Sequence, residues 1–232
     1  MAALVIAIAV AGCCDKNNPL GVREGGPGGP AVVSIGTLST FGVLAGSTVT
    51  NTGATAITGD LGVAPGSAIT GFPPGTVSGS IHSNDAAAIA AKADLTTAFN
   101  DINGRTAGVI AVAGTLTGIT LTPGIYSSTS SLGVTGNLTL NALGHSDAIF
   151  IIRTATTLTT GAGSKVILTG GAKAANVFWL VGTSATLGTN SILEGTILAD
   201  QSVTLNTGAR VDGRALARTG AVTLDTNAIA TP

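Results

Sequence analysis

Charge is scarce in this chain of 232 residues: ten basic and eleven acidic side chains leave a formal net charge of −1. Binding a nucleic acid needs clustered Lys and Arg to neutralise phosphates, and here the ten are scattered, which excludes that class of function. Aromatic residues make up only 3%, with one Trp and one Tyr inside apolar stretches, which argues against a carbohydrate platform of exposed rings. Cysteine occurs twice, at positions 13 and 14, so the rest of the chain has neither a disulfide nor a thiolate metal site. His82 and His145 stand alone, with no partner at metal-ligand spacing, and read as turn or surface residues. Disorder is excluded too, because 44% of the residues are hydrophobic and the net charge is small. Glycine is abundant, at 34, and threonine about as frequent. Small and β-branched residues in a single domain of roughly 200 residues read as mainly β.

Residues 2–11 form an unbroken apolar run, too short to span a bilayer as a helix but the right length for the core of an export signal. The run ends in Val10-Ala11-Gly12-Cys13, which resembles the lipobox of bacterial lipoproteins. That resemblance implies cleavage before Cys13 and lipidation of its thiol, although no basic residue precedes the run as such signals normally require. From Pro19 to Pro30 the sequence is Gly- and Pro-rich with nothing to bury, as in a tether. The expected division is a signal peptide over 1–12, a lipidated Cys and tether over 13–30, and a folded domain over 31–232. Such a chain is exported and held at the cell surface or outer membrane, or released outside the cell.

Thr-Leu followed by a small polar residue occurs at Thr120, Thr139, Thr157, Thr186, Thr204 and Thr223, in steps of 19, 18, 29, 18 and 19. A period near 18 is that of a three-sided solenoid with about six residues per side, and the long step contains Gly170-Gly171, where an insertion fits. With each Leu pointing inward, its neighbours form an outward ladder repeating every ~4.8 Å. The same register stacks Glu194 on Asp212, and Asp200 on Arg218 as an ion pair. One helix is expected over about 84–103, capped by Asn84, ended by Gly104, with Ala91, Leu95, Ala98, Phe99 and Ile102 on one face. Such a helix lies along one solenoid side and leaves another bare. Phe72-Pro73-Pro74-Gly75 marks a turn.

These segments, in this order, resemble the microbial ice-binding (antifreeze) protein family. The resemblance is carried by Thr55-Ala56-Ile57-Thr58-Gly59-Asp60-Leu61-Gly62-Val63-Ala64-Pro65, Leu121-Thr122-Pro123-Gly124-Ile125-Tyr126, Lys165 to Ala172, Asn176-Val177-Phe178-Trp179 and Val211 to Ala217. It implies a discontinuous, three-sided, right-handed β-solenoid with one α-helix packed alongside, and a protein without catalytic residues that adsorbs to ice through one flat face. Some members carry a Thr-Ala/Gly-x-Thr/Asn pattern on that face. Thr154-Ala155-Thr156-Thr157 and Thr52-Gly53-Ala54-Thr55 fit it, whereas Thr183-Ser184-Ala185-Thr186 and Gln201-Ser202-Val203-Thr204 depart. Ladder and pattern together give Thr120, Thr122, Thr139, Asn141, Thr154, Thr157, Thr159, Thr183, Thr186, Thr204, Asn206 and Thr223 as candidate ice-contact residues.

Threonine suits such a face for a physical reason. Charged groups hold water in arrangements foreign to ice, whereas methyl and hydroxyl groups on a rigid plane order it weakly and regularly. Threonine supplies both groups and is stiff at χ1, so adsorption freezes little rotamer freedom. A surface adhesin or structural solenoid is the alternative, since Thr also fills strands for its β-propensity alone. A polysaccharide lyase would have to use Glu194, Asp212, Arg210 and Arg214, a set more simply read as stacked carboxylates with charge compensation. No cofactor or metal is expected. The expected partners of the monomer are ice and, through the lipid alone, a membrane, with no nucleic acid.

Overall fold

The computed structural model describes residues 29–232. The signal peptide, Cys13 and most of the tether therefore lie outside the described residues. From Phe41 onward the chain winds into turns of three short strands, and equivalent strands of neighbouring turns pair in parallel to build three sides. Side a comprises Ile81–Ser83, Asp60–Val63, Phe41–Ala45, the second halves of Arg210–Ala217 and Ile192–Ala199, then Val177–Val181, Phe150–Thr154, Gly124–Ser128 and Val109–Ala111. Side b is an eight-stranded sheet in the order Ala68–Thr70, Thr48–Thr52, Val222–Asp225, Val203–Leu205, Ala185–Leu187, Leu158–Thr160, Leu132–Val134 and Gly114–Thr115. Side c runs through Thr76–Val77, Ala56–Thr58, Ala228–Ala230, the first halves of the two long strands, Lys165–Thr169, Asn137–Asn141 and Thr120–Leu121.

The two long strands pass from side c to side a without a break, bending at Gly195 and Gly213, which are paired with each other. Gly195 has φ 109°, and a Cβ there would lie 2.5 Å from the Val177 carbonyl oxygen, so only glycine lets the turns stack this closely.

Strand order along the stack is not sequence order. The last turn, Val222–Asp225 and Ala228–Ala230, pairs on one edge with the turn before it and on the other with Thr48–Thr52 and Ala56–Thr58 from the start of the domain. The helix Ala86–Gly104 then carries the chain to the opposite end, where Val109–Ala111 restarts the winding. This seam is tied internally: the buried Asn227 backbone N–H donates to Thr55 Oγ1 at 3.0 Å, and its side-chain amide donates to the carbonyls of Asn206 and Ala209.

Inward-facing Val, Leu, Ile and Ala fill the prism, with Trp179 fully buried and its indole N–H donating to the Glu194 carbonyl at 2.9 Å. A second apolar layer lies outside side a, where Leu95, Ala98, Phe99 and Ile102 of the helix meet Ile151, Phe178, Leu180, Leu198 and Leu216. Each large side chain so buried contributes about 1.5–3 kcal/mol. The helix cap is Asp85, whose carboxylate accepts from the Ala88 N–H at 2.9 Å, and not Asn84, which turns the chain at φ 52°. At the far end Arg153 Nη1 donates to the carbonyls of Ile102, Asn103 and Arg105.

The helix occupies the half of side a nearer side b, where Lys92 Nζ donates to the Ala217 and Arg218 carbonyls. Burial, more than the nearby Arg218 charge, lowers the Lys92 ammonium to about 8. The half nearer side c is covered by residues 29–40: Arg214 is buried with Nε donating to the Leu38 carbonyl, and Arg105 binds the Ala31 and Val32 carbonyls. Sides b and c carry no such layer among the described residues.

Turn lengths vary. From Gly114 the steps between paired side-b positions, Leu132, Leu158, Ala185, Val203 and Val222, are 18, 26, 27, 18 and 19 residues. The extra residues, 142–149 and 170–176, bulge at the corner between sides c and a and bond to each other, Gly144 N–H to Gly170 O at 2.8 Å and Asn176 Nδ2 to Ser146 O at 3.3 Å. All the irregularity of these turns is thus placed away from side b.

Candidate functional site

Each central side-b residue alternates with inward neighbours, apolar at Val222 and Leu224, Val203 and Leu205, and Ala185 and Leu187, with the buried polar Asn51 beside Thr50 and Thr160 beside Thr159, and this alternation turns the central residue outward. The strand register makes those central residues one row: Thr70, Thr50, Thr223, Thr204, Thr186, Thr159, Gly133 and Thr115. The Oγ atoms of the seven threonines bond to no other described side chain or carbonyl; Thr50, Thr70, Thr115, Thr159 and Thr223 are exposed, and Thr186 and Thr204 half-buried. Two residues upstream runs a second outward row of small groups, Ala68, Thr48, Ala221, Ser202, Ser184, Thr157, Ser131 and Ala113. Downstream lie Thr52, Asp225, Asn206, Thr135 and Thr117, toward the corner with side c. Stacked turns repeat at ~4.8 Å and alternate residues along a strand at ~6.6 Å, which makes side b a two-dimensional grid of threonine, serine and alanine.

The grid is almost free of charge. Asp225, at the corner, is its one charged side chain among the described residues, and it is engaged by the Thr207 and Thr226 hydroxyls. The remaining charges lie on sides a and c or at corners. Asp200 and Arg218 stack as an ion pair, Arg218 Nε to Asp200 Oδ1 at 2.7 Å, with the guanidinium 4.7 Å from the centre of the Phe99 ring.

Half of the sequence-derived set meets here. Thr157, Thr159, Thr186, Thr204, Asn206 and Thr223 all belong to side b, although Thr157 falls one row away from Thr186, because Leu158 pairs with Ala185. The other six are elsewhere. Thr120 pairs with Thr139 on side c, Asn141 is two residues further along that side, and Thr122 follows at its corner. Thr154 is buried and spends its hydroxyl on the Ser130 carbonyl, while Thr183 sits half-buried at the corner, bonded through its backbone to Thr156 and Gln201. The physical reason is that outward-Thr, inward-Leu alternation satisfies any side of the prism. The 26-residue turn let the step from Thr139 to Thr157 pass from side c to side b while keeping an 18-residue spacing. Thr50, Thr70 and Thr115 were missed. Thr115-Leu116-Thr117 carries the same dipeptide, whereas Val49-Thr50-Asn51 and Ile69-Thr70-Gly71 show only the general apolar-Thr pattern.

On side c, Glu194 does stack on Asp212. Arg210 pairs bidentately with Asp212, at 2.7 and 2.9 Å to one oxygen and 3.0 Å to the other. Burial, and then the Asp212 charge, push the Glu194 carboxyl up to about 7. Arg214, expected beside this pair, instead points beneath residues 38–39. His82 is not partnerless as its spacing suggested: Nδ1 lies 2.8 Å from Asp85 Oδ2. Among the described residues no three His, Cys, Asp or Glu side chains cluster as a metal site.

The family described as ice-binding-like matches residues 43–230. An ice-binding protein of Nostoc sp. (strain HG1) is 48% identical over 200 residues, covering 86% of this chain and 74% of that one. Among solved structures, an ice-binding protein from an Antarctic biological consortium superposes with a TM-score of 0.86 at 51% identity, covering 87% of this chain and 92% of that one. One from the ascomycete Antarctomyces psychrotrophicus does so with 0.83 at 45%, covering 86% and 98%.

Proposed function

The chain belongs to the ice-binding-like family, and from that premise we propose that it adsorbs to ice through side b and so inhibits ice growth and recrystallisation. The observation that carries the choice of side is the in-register row of threonines whose hydroxyls make no internal bond, on a sheet whose only charge lies at its corner. Water over such a grid is held by weak, regularly spaced contacts that match a solid better than a hydrated charge does. Each contact is small, but many on one preformed plane act together, because the ordering entropy was lost when the protein folded. Adsorption of that kind is close to irreversible and stops growth of the ice beneath.

The reading is of a monomer without catalytic activity. The Glu194, Asp212 and Arg210 group serves as charge compensation between turns, and Arg214 as a brace for residues 38–39. Export and lipidation at Cys13 complete the proposal, supported by Val10-Ala11-Gly12-Cys13.

Thermal hysteresis and recrystallisation inhibition test the face. Thr186→Tyr places a ring in the middle of the row and is expected to abolish both, with the melting temperature nearly unchanged. Thr139→Tyr, on side c, is expected to keep full activity. The opposite pattern would move the ice contact to side c.

A further inference from the structure

A cleft of about 460 Å3 lies outside side a, between the C-terminal half of the helix and the corner with side b, a size in the range of small-molecule sites. Strand register sets its floor: Ser127, Arg153 and Leu180 are neighbours on three adjacent strands, on the outer surface of side a. Phe99 closes the cleft from the helix, and Asp200 and Arg218 stand at the corner. Arg218 is paired with Asp200 and lies over the Phe99 ring, so the one carboxylate and the one ring that line the cleft are already taken by a cation. With that pair neutral, Arg153 carries the net charge of the cleft. Its Nη1 donates to three carbonyls at the helix end, which fixes the guanidinium in place, whereas Nε is buried without a partner and Nη2 bonds to no described group. Nε and Nη2 make up the edge opposite Nη1, the planar fork that takes a carboxylate through two parallel hydrogen bonds. Around it the side chains of Ser127, Thr129, Thr106 and Asn103 bond to no other described residue.

We propose that this cleft binds a sugar acid, with the carboxylate on the free edge of Arg153, the sugar hydroxyls on Ser127, Thr129, Thr106 and Asn103, and the apolar face of the sugar ring against Leu180. The unpaired fork selects a carboxylate over a neutral sugar, and the surrounding hydroxyl and amide groups select a hydroxylated body over a bare anion, because a ligand lacking either leaves polar groups of the cleft unmatched. Recognition of this kind runs through charge and hydrogen bonds and needs no exposed aromatic platform. A free uronic acid and a residue of an acidic polysaccharide share this chemistry. The inference is independent of the side-b reading, since no residue named here belongs to the threonine grid.

The test follows the arginine Nε–H resonances of the isotope-labelled full chain during titration with glucuronate, the Arg153 signal being the one that Arg153→Lys removes. That signal is expected to shift and saturate, with half-saturation at about 1 mM, and to stay still in glucose. Ser127→Leu fills the floor of the cleft without touching the bonds from Arg153 to the helix, and Thr106→Trp blocks its exposed mouth. Each should weaken glucuronate binding by about tenfold or more while leaving melting temperature and thermal hysteresis unchanged. Saturation transfer to the glucuronate protons gives the same affinities from the ligand side and should be lost in Arg153→Lys, which keeps the charge but not the fork. An oligosaccharide of alginate that binds about tenfold more tightly than glucuronate would identify the polymer as the source of the sugar acid, and equal affinity the free acid. No shift of the Arg153 signal up to about 50 mM glucuronate would overturn the proposal, as would unchanged affinity in both Ser127→Leu and Thr106→Trp. An equal response to acetate or inorganic phosphate would overturn the sugar-acid assignment.

Discussion

One glycine interrupts the threonine row of side b. Gly133 lies between Thr115 and Thr159, and a Cβ there would come nearest the Thr115 side chain, Oγ1 at 3.3 Å and Cγ2 at 3.8 Å, an end that can turn away, and would touch the Gly114 carbonyl oxygen at an ordinary 3.9 Å. Gly133→Thr should therefore complete the row, raise thermal hysteresis at equal concentration, and stabilise the fold by about 0.5–1 kcal/mol through a less free unfolded chain. A higher melting temperature with lower hysteresis would show that the ice contact stops short of this end. Glu194 gives a second measurable effect. Its carboxyl is raised to about 7 in the folded protein against an ordinary 4.5, so between those pH values the native state holds a proton that the unfolded chain has released. Stability is therefore greatest below about 4.5 and falls as pH rises to about 7, by about 1 kcal/mol once solvent screening of this half-exposed group is allowed for. Glu194→Gln should flatten that slope in melting temperatures recorded from pH 4 to 8. The stacking of Glu194 on Asp212 was legible in their 18-residue spacing. The bidentate partner was not, because Arg210 and Arg214 are equally near in sequence and only the bend at Gly213 sends them to different sides.

Among the elements, the helix shows how much of local structure a sequence displays. Its apolar face, Ala91, Leu95, Ala98, Phe99 and Ile102, was readable from the 3.6-residue period, and all five residues are buried. Its cap was not, since adjacent Asn84 and Asp85 are both good caps and the choice depends on which of them turns the chain. Its C-terminal support was also invisible, because Arg153 comes from a strand 48 residues beyond the last carbonyl it binds. That guanidinium satisfies carbonyls at the negative end of the helix dipole, so Arg153→Met should cost about 2–3 kcal/mol in urea denaturation. A change under about 0.5 kcal/mol would mean that solvent replaces it without loss. For the strands, the Thr-Leu dipeptide reported correctly which residues face inward, as burial of Leu121, Leu140, Leu158, Leu187, Leu205 and Leu224 shows. It did not report which side a strand belongs to. That depends on turn length, which the bulges at 142–149 and 170–176 change without disturbing the alternation.

For the whole molecule, the period near 18 was sufficient for a three-sided solenoid, and its discontinuity was legible only through the family that the motifs, in their order, resemble. Nothing periodic in the chain shows the seam itself, because Val222 and Val49 are neighbours that no repeat spacing relates. The seam has a consequence for how the molecule comes into being. Thr48–Thr52 and Ala56–Thr58 pair early with Ala68–Thr70 and Thr76–Val77 on one edge but wait on the other for Val222–Asp225 and Ala228–Ala230, so the first turn made lacks its second neighbour until the final dozen residues exist. Contacts this distant along the chain are slow to form. A ribosome would therefore release a polypeptide whose threonine grid is still open at this seam. The seam thus acts as a timer, deferring the finished threonine grid until the C-terminal strands of the domain have been made.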